Sequence, residues 1–117
     1  MIDINIRKEL KSGVVELAIL SLLKERDMYG YEISNEIDKR SSNRLNVKEG
    51  TLYPILYRLE EKEVIESYWK ALDGRGKPRK YYRVTSIGDR YFYSYKEEWF
   101  VVSNIMRDIL IGEEEEC

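Results

Sequence analysis

The sequence predicts a mainly α-helical chain with one small β-hairpin and a long last helix. Three observations carry this. Apolar residues recur at helical spacing through three segments of the first 65 residues, and the period becomes strand-like on either side of "DGRGKP". A stripe of large apolar side chains then repeats every three or four positions from Phe92 to Ile109.

Taken in order, "SGVVELAILSLLKER" (Ser12 to Arg26) is apolar on nearly every side, which predicts a helix buried on more than one face. After "DMYG", the segment "YEISNEIDKR" carries Ile33 and Ile37 one turn apart, a thinner stripe that predicts a second, shallower helix. "SSNRLN" is a polar turn cluster. Asn46 and Glu49 have capping-box spacing, although Lys48 also suits the start of the third helix. That helix, "EGTLYPILYRLEEKEVI", places Leu52, Ile55, Leu56 and Leu59 on one arc at 100° per residue, facing a core. "VIESYWKAL" and "RKYYRVT" are β-branched and aromatic, and "DGRGKP" between them turns the chain, so a hairpin with a basic tip follows. The last helix runs from about Ser86 to Ile111, with Phe92, Tyr95, Trp99, Val102, Met106 and Ile109 as its seam. Such a stripe packs on its twin in a second chain or folds back on the first helix of its own.

Three helices, a hairpin and a long helix in that order describe a winged helix-turn-helix with a dimerisation helix. Residues 1–84 form the first unit and 85–117 the second, which ends in the acidic run Glu113 to Glu116. That run is expected to fray, since acid at a helix C-terminus opposes the helix dipole.

Composition narrows the function. The 117 residues contain no histidine, and the single cysteine is the terminal Cys117, so neither an intrachain disulfide nor a Cys/His metal site is expected. No Gly-rich phosphate loop is present, no catalytic residue can be nominated, and no cofactor is expected. No apolar run long enough for a membrane span occurs and the start does not resemble a signal peptide, which predicts a cytoplasmic protein. With 43% hydrophobic and 36% charged residues the chain has a modest core and surface to spare, as a homodimer would.

The exposed face of the third helix is the informative surface. Gly50, Pro54 and Tyr57 lie opposite the leucines, flanked by Tyr53, Thr51 and Arg58, with Lys48 at the helix start. A smooth, aromatic, nearly acid-free helix start suits the major groove, about 12 Å wide and read by a helix's first turns. Tyrosine and threonine hydroxyls bond phosphates or base edges, a proline ring meets a thymine methyl, and arginine pairs with phosphate or guanine. Net charge is only −2, but "RGKPRKYYR" gathers Arg75, Lys77, Arg79, Lys80 and Arg83 beside Tyr81 and Tyr82, as a wing reaching for phosphates would. The competing reading is a winged-helix interaction module that binds a protein through its aromatic face.

The motifs "YGYEI", "EGTLYPILYRLEEKEVI" and "GKPRKYYRVTSIG", in this order, resemble the PadR family of transcription regulators over about residues 10 to 110. The single short tail helix is similar to the family's compact subgroup. The resemblance implies a homodimeric repressor of double-stranded operator DNA bearing an inverted repeat. Its DNA-reading positions would be Thr51, Tyr53, Pro54, Tyr57 and Arg58, with Tyr29 and Tyr31 near phosphate at the start of the second helix. Lys77, Arg79, Lys80 and Tyr81 would do the same in the wing. The family often has glycine after its third helix, where this chain has Glu63. Members commonly respond to phenolic or planar aromatic effectors. The matching slot here would be Trp99 at the dimer centre, with Leu17, Ser21 and Tyr95 around it; alternatively Trp99 simply fills the seam as a large core residue.

Overall fold

A computed structural model describes the backbone of residues 4–71 and 76–116, and the side chains of 10, 11, 13–71 and 76–111. The elements are α1 (Ile4–Glu25), β1 (Met28–Tyr29), α2 (Gly30–Arg40), α3 (Glu49–Glu61), β2 (Ile65–Lys70), β3 (Arg79–Val84) and α4 (Ser86–Glu116). This is the winged helix-turn-helix expected, with two helices longer than their apolar periods. α1 starts at Ile4 rather than Ser12, and α4 continues past Ile111 through the glutamates to Glu116.

One core holds the winged unit together. Val15, Ile19, Leu20 and Leu23 of α1 and Ile33 and Ile37 of α2 are buried together with Leu52, Ile55, Leu56 and Leu59 of α3. Each such side chain contributes about 2 kcal/mol when fully buried. The apolar arc of α3 is therefore its anchor, and its opposite face is left outside.

The α2–α3 connection has a turn chemistry that departs from the expected cap. Ser42, Asn43 and Asn46 all have left-handed φ angles (53°, 62° and 49°), so Asn46 belongs to the loop and does not cap α3. The N-cap is Lys48, extended at φ −99°, ψ 165°, whose carbonyl accepts from the Thr51 and Leu52 amides at 2.9 Å. Just before it, Val47 is buried in the core. Its amide donates to Asp38 Oδ1 at 3.1 Å and its carbonyl accepts from Ser34 Oγ at 2.6 Å, so both its backbone groups are tied to α2.

The sheet has three strands in the order β1-β3-β2, all antiparallel. Two-residue β1 carries no period in the sequence; it pairs Met28 with Tyr82 and Tyr29 with Tyr81. In the hairpin, Ser67 faces Tyr82, Tyr68 faces Tyr81 and Trp69 faces Lys80. Thr85 then caps α4, its hydroxyl accepting from the Gly88 amide at 3.0 Å.

The expected α4 seam divides in two. Phe92 is buried in the core of its own chain, and the Tyr95 hydroxyl donates to the Gly13 carbonyl of α1 at 2.7 Å, so this part of the stripe packs intramolecularly. From Trp99 onward the stripe is exposed: Val102, Met106 and Ile109 lie in solvent, joined by Ile105 and Leu110.

Candidate nucleic-acid interface

Because the leucine face of α3 is inside, Lys48, Gly50, Thr51, Tyr53, Pro54, Tyr57 and Arg58 are all exposed, in agreement with the helical wheel. Pro54 lies within the helix and has no amide to offer the Gly50 carbonyl. Among the described residues Lys48, Arg58 and Lys77 have no ion-pair partner.

Tyr53 leans back from this face. Its hydroxyl sits 2.5 Å from where a Cβ on Gly30 would lie, so the missing side chain at the start of α2 makes room for the ring. Next to it Tyr31 is exposed and stacks on Tyr29 with ring centroids 6.4 Å apart. Arg79 joins the same group from the wing. Its Nη1 donates to Tyr29 Oη at 2.9 Å and its guanidinium lies 4.6 Å from the Tyr29 ring centroid. The fold thus brings the start of α2 and the root of the wing to one place, with Arg79 and Tyr29 presenting a cation and a hydroxyl together.

The remaining wing residues are disposed differently from one another. Lys77 is exposed. Lys80 points to the other side of the strand, where its Nζ is 3.7 Å from Glu60, the carboxylate that also accepts from Ser67 Oγ at 2.7 Å. Tyr81 is not a surface residue. It is buried between Tyr29, edge-on at 5.4 Å, and Tyr68, stacked at 5.8 Å. Arg83 Nε donates to Glu66 at 2.7 Å, a bond that holds its pKa above the usual arginine range. Arg75 lies outside the described residues. Burial pushes the Tyr82 hydroxyl up to about 12, and the Asp27 carboxylate, accepting the Tyr68 hydroxyl at 2.5 Å, raises that phenol too. Trp69, an exposed indole on β2, was not singled out from the sequence, although alternation with the buried Ile65 put it on the same sheet face.

The proposed effector residues fall into two grooves rather than one. Leu17 and Ser21 line a space of about 280 Å³ with Trp99, Phe92 and Phe100. Tyr95 lines a second, of about 480 Å³, with Tyr91, Glu98, Val102 and the other side of Trp99. Trp99 is the wall between them. Beneath the second groove Tyr91 donates its hydroxyl to the buried Glu16 at 2.7 Å, and Lys62 at the end of α3 lies 3.6 Å from the same carboxylate oxygen. Burial, and then this bond, raise the Tyr91 pKa strongly. Among the described residues there is no group of acids or cysteines placed to hold a metal ion, and no helix is long and apolar enough to cross a membrane.

Comparison with known proteins bears on the family and the fold. The model of the transcriptional regulator PadR-like family matches residues 19–94. An uncharacterized protein of Lysinibacillus sphaericus is 46% identical over 101 residues, covering 86% of this chain and 92% of the relative. A transcriptional regulator from Clostridium thermocellum superposes with a TM-score of 0.79 at 36% identity, covering 87% of this chain and 98% of that one. A PadR family transcription regulator from Clostridium difficile does so at 0.70 and 35%, covering 82% and 97%.

Proposed function

The chain belongs to the PadR-like family of transcriptional regulators, and on that footing we propose that it acts in the cytoplasm as a homodimeric repressor of an inverted-repeat operator. The observation that carries this reading is the solvent face of α3, where Thr51, Tyr53, Pro54, Tyr57 and Arg58 stand exposed above four buried leucine-type anchors. In this reading α3 enters the major groove and its hydroxyls and Arg58 meet base edges and phosphates. Lys48, Tyr31, the Tyr29–Arg79 pair and Lys77 meet the backbone on either side. Lys80 serves the wing from within, since Glu60 already holds its charge. The bare stripe of α4 from Trp99 to Ile109 supports dimerisation, because apolar side chains at seam spacing are stabilised by covering one another. Two-fold symmetry would then set half-sites about 10 bp apart. A planar aromatic or phenolic effector wedged against Trp99 would shift α4, and through it the distance between the two α3 helices, releasing the DNA.

The test is fluorescence anisotropy with labelled duplex from the region upstream of the gene, measured over a salt series. Each neutralised phosphate steepens the log–log salt slope by about 0.9. The Lys77→Ala/Arg79→Ala pair, removing four cations per dimer, is expected to weaken binding to all sequences and flatten the slope by about 3 to 4. An unchanged slope and affinity would show that the wing does not carry the phosphate contacts. Sedimentation of Val102→Glu/Met106→Glu checks the dimer, which this pair should dissociate; a variant that stays dimeric removes the seam from the account.

A further inference from the structure

One face of the sheet, opposite the one from which Lys80 and Ser67 reach Glu60 of α3, carries tyrosines and cations in register. Tyr29 of β1, Tyr81 of β3 and Tyr68 of β2 lie side by side across it, with successive ring centroids 5.4 Å and 5.8 Å apart. A cation rests on each ring. The Arg79 guanidinium is 4.6 Å from the centroid of Tyr29, Lys70 Nζ is 5.5 Å from that of Tyr81, and the Arg83 guanidinium is 5.1 Å from that of Tyr68. The acids that meet these groups are engaged, Glu66 by Arg83 and Asp27 by the Tyr68 hydroxyl. Lys70 and Arg79 are both exposed, and among the described residues neither has an acid as partner.

Lys70 and Arg79 are direct cross-strand partners. Like charges placed opposite one another destabilise a strand pair, and an aromatic face orients a cation without cancelling its charge. The hairpin therefore holds in place a repulsive pair that an anion laid over it would relieve. The Tyr29 hydroxyl, which accepts from Arg79 at 2.9 Å, keeps its own proton to donate beside them. The same residues lead back to the third helix. Arg79 is bonded to Tyr29, Tyr29 precedes Gly30, and the Tyr53 ring of α3 fills the space that Gly30 leaves for it. Lys70 thus stands one strand beyond Arg79, on the flank of the exposed start of α3. An anion that spans from α3 across Tyr29 to Lys70 is extended and carries its charge at intervals, which is the character of a nucleic-acid phosphate backbone.

We propose that Lys70 is a DNA-contacting residue, meeting the phosphate backbone beside Arg79 and the Tyr29 hydroxyl. The proposal rests on the DNA-binding reading above and deepens it, by extending the contact of the wing from β3 to β2. A phosphate contact carries no base information, so Lys70 adds affinity and register without sequence preference.

The experiment measures the anisotropy of two labelled duplexes, the upstream region and an unrelated sequence, over a salt series with the full chain. Lys70→Gln removes the charge and leaves a polar side chain on the strand. It should flatten the log–log salt slope by about 2 per dimer and weaken both duplexes by the same factor, on the order of tenfold. Lys70→Arg keeps the charge and should keep the native slope. Lys39→Gln, exposed at the far end of α2 from Tyr29, sets the effect of a charge lost away from the contact. A Lys70→Gln slope no flatter than that of Lys39→Gln, in a protein that binds DNA, overturns the proposal. So does a Lys70→Arg variant whose slope is as flat as that of Lys70→Gln. Anisotropy that does not rise with any duplex overturns the DNA-binding reading itself, and this proposal with it.

Discussion

At the scale of single residues the backbone of Glu63 shows the cost of a local choice. α3 ends in a Schellman arrangement: the Val64 amide donates to the Leu59 carbonyl at 3.1 Å and the Glu63 amide to the Glu60 carbonyl at 2.9 Å. This geometry puts Glu63 at φ 62°, a left-handed position that costs a residue with a Cβ about 1 kcal/mol relative to glycine. Thr85 Oγ1 donates to the Glu63 carbonyl at 2.7 Å and helps keep the turn in place. Glu63→Gly is accordingly expected to raise stability by about 1 kcal/mol, read as a higher urea midpoint at unchanged slope. An unchanged or lower midpoint would mean that the turn holds no such strain. Tyr81 is the contrasting case, for it was expected on the wing surface beside its cations. Its place between Tyr29 and Tyr68 depends on β1 pairing with β3, and a two-residue strand leaves no period to read.

Among the elements, α3 was the most legible. Its period alone separated Leu52, Ile55, Leu56 and Leu59 from the solvent face, because a helix face is set by residues three and four apart. The junction between the hairpin and α4 was not legible, since it depends on backbone meeting backbone. Thr85 donates its amide to the Val64 carbonyl at 3.1 Å, and a Cβ on Gly88 would run into that same carbonyl. The helix start can approach the hairpin only with glycine there. Gly88→Ala should destabilise the protein by about 3 kcal/mol, as overpacking against atoms that cannot swing aside does. Equilibrium urea unfolding measures it, and a loss within error would mean that α4 can shift on the hairpin at little cost.

The whole molecule carries its tyrosines as a pH-dependent load. Tyr82 and Tyr91 are held protonated chiefly by burial, Tyr95 likewise, and Tyr68 by its bond to Asp27. A phenol whose folded pKa lies above the ordinary 10 keeps its proton more tightly in the folded state than in the unfolded chain. Its stabilisation is therefore complete below about pH 10 and declines as pH rises; for Tyr82 the decline spans the interval from 10 to about 12. Thermal melting should fall steeply across that interval, and Tyr82→Phe should make the fall shallower. A Tyr82→Phe variant with the same alkaline profile would place the sensitivity elsewhere. The same scale separates the two halves of α4. The first half rests on the core through Phe92 and Tyr95, and beyond Trp99 no described side chain is buried.

By itself the sequence determined the order of helices and hairpin, the two faces of α3 and the presence of a cationic wing, and its motifs carried the family resemblance. These follow from periods and neighbours within a few positions, which are properties of local geometry. The tertiary structure decided which of those side chains remain available. It turned Lys80 toward Glu60, set Arg79 on Tyr29 across 50 positions of chain, enclosed Tyr81, left Trp69 bare and made Trp99 a wall between two grooves. The physical reason is that a side chain's availability depends on what packs against it, and its neighbours in space come from parts of the chain that no local period connects.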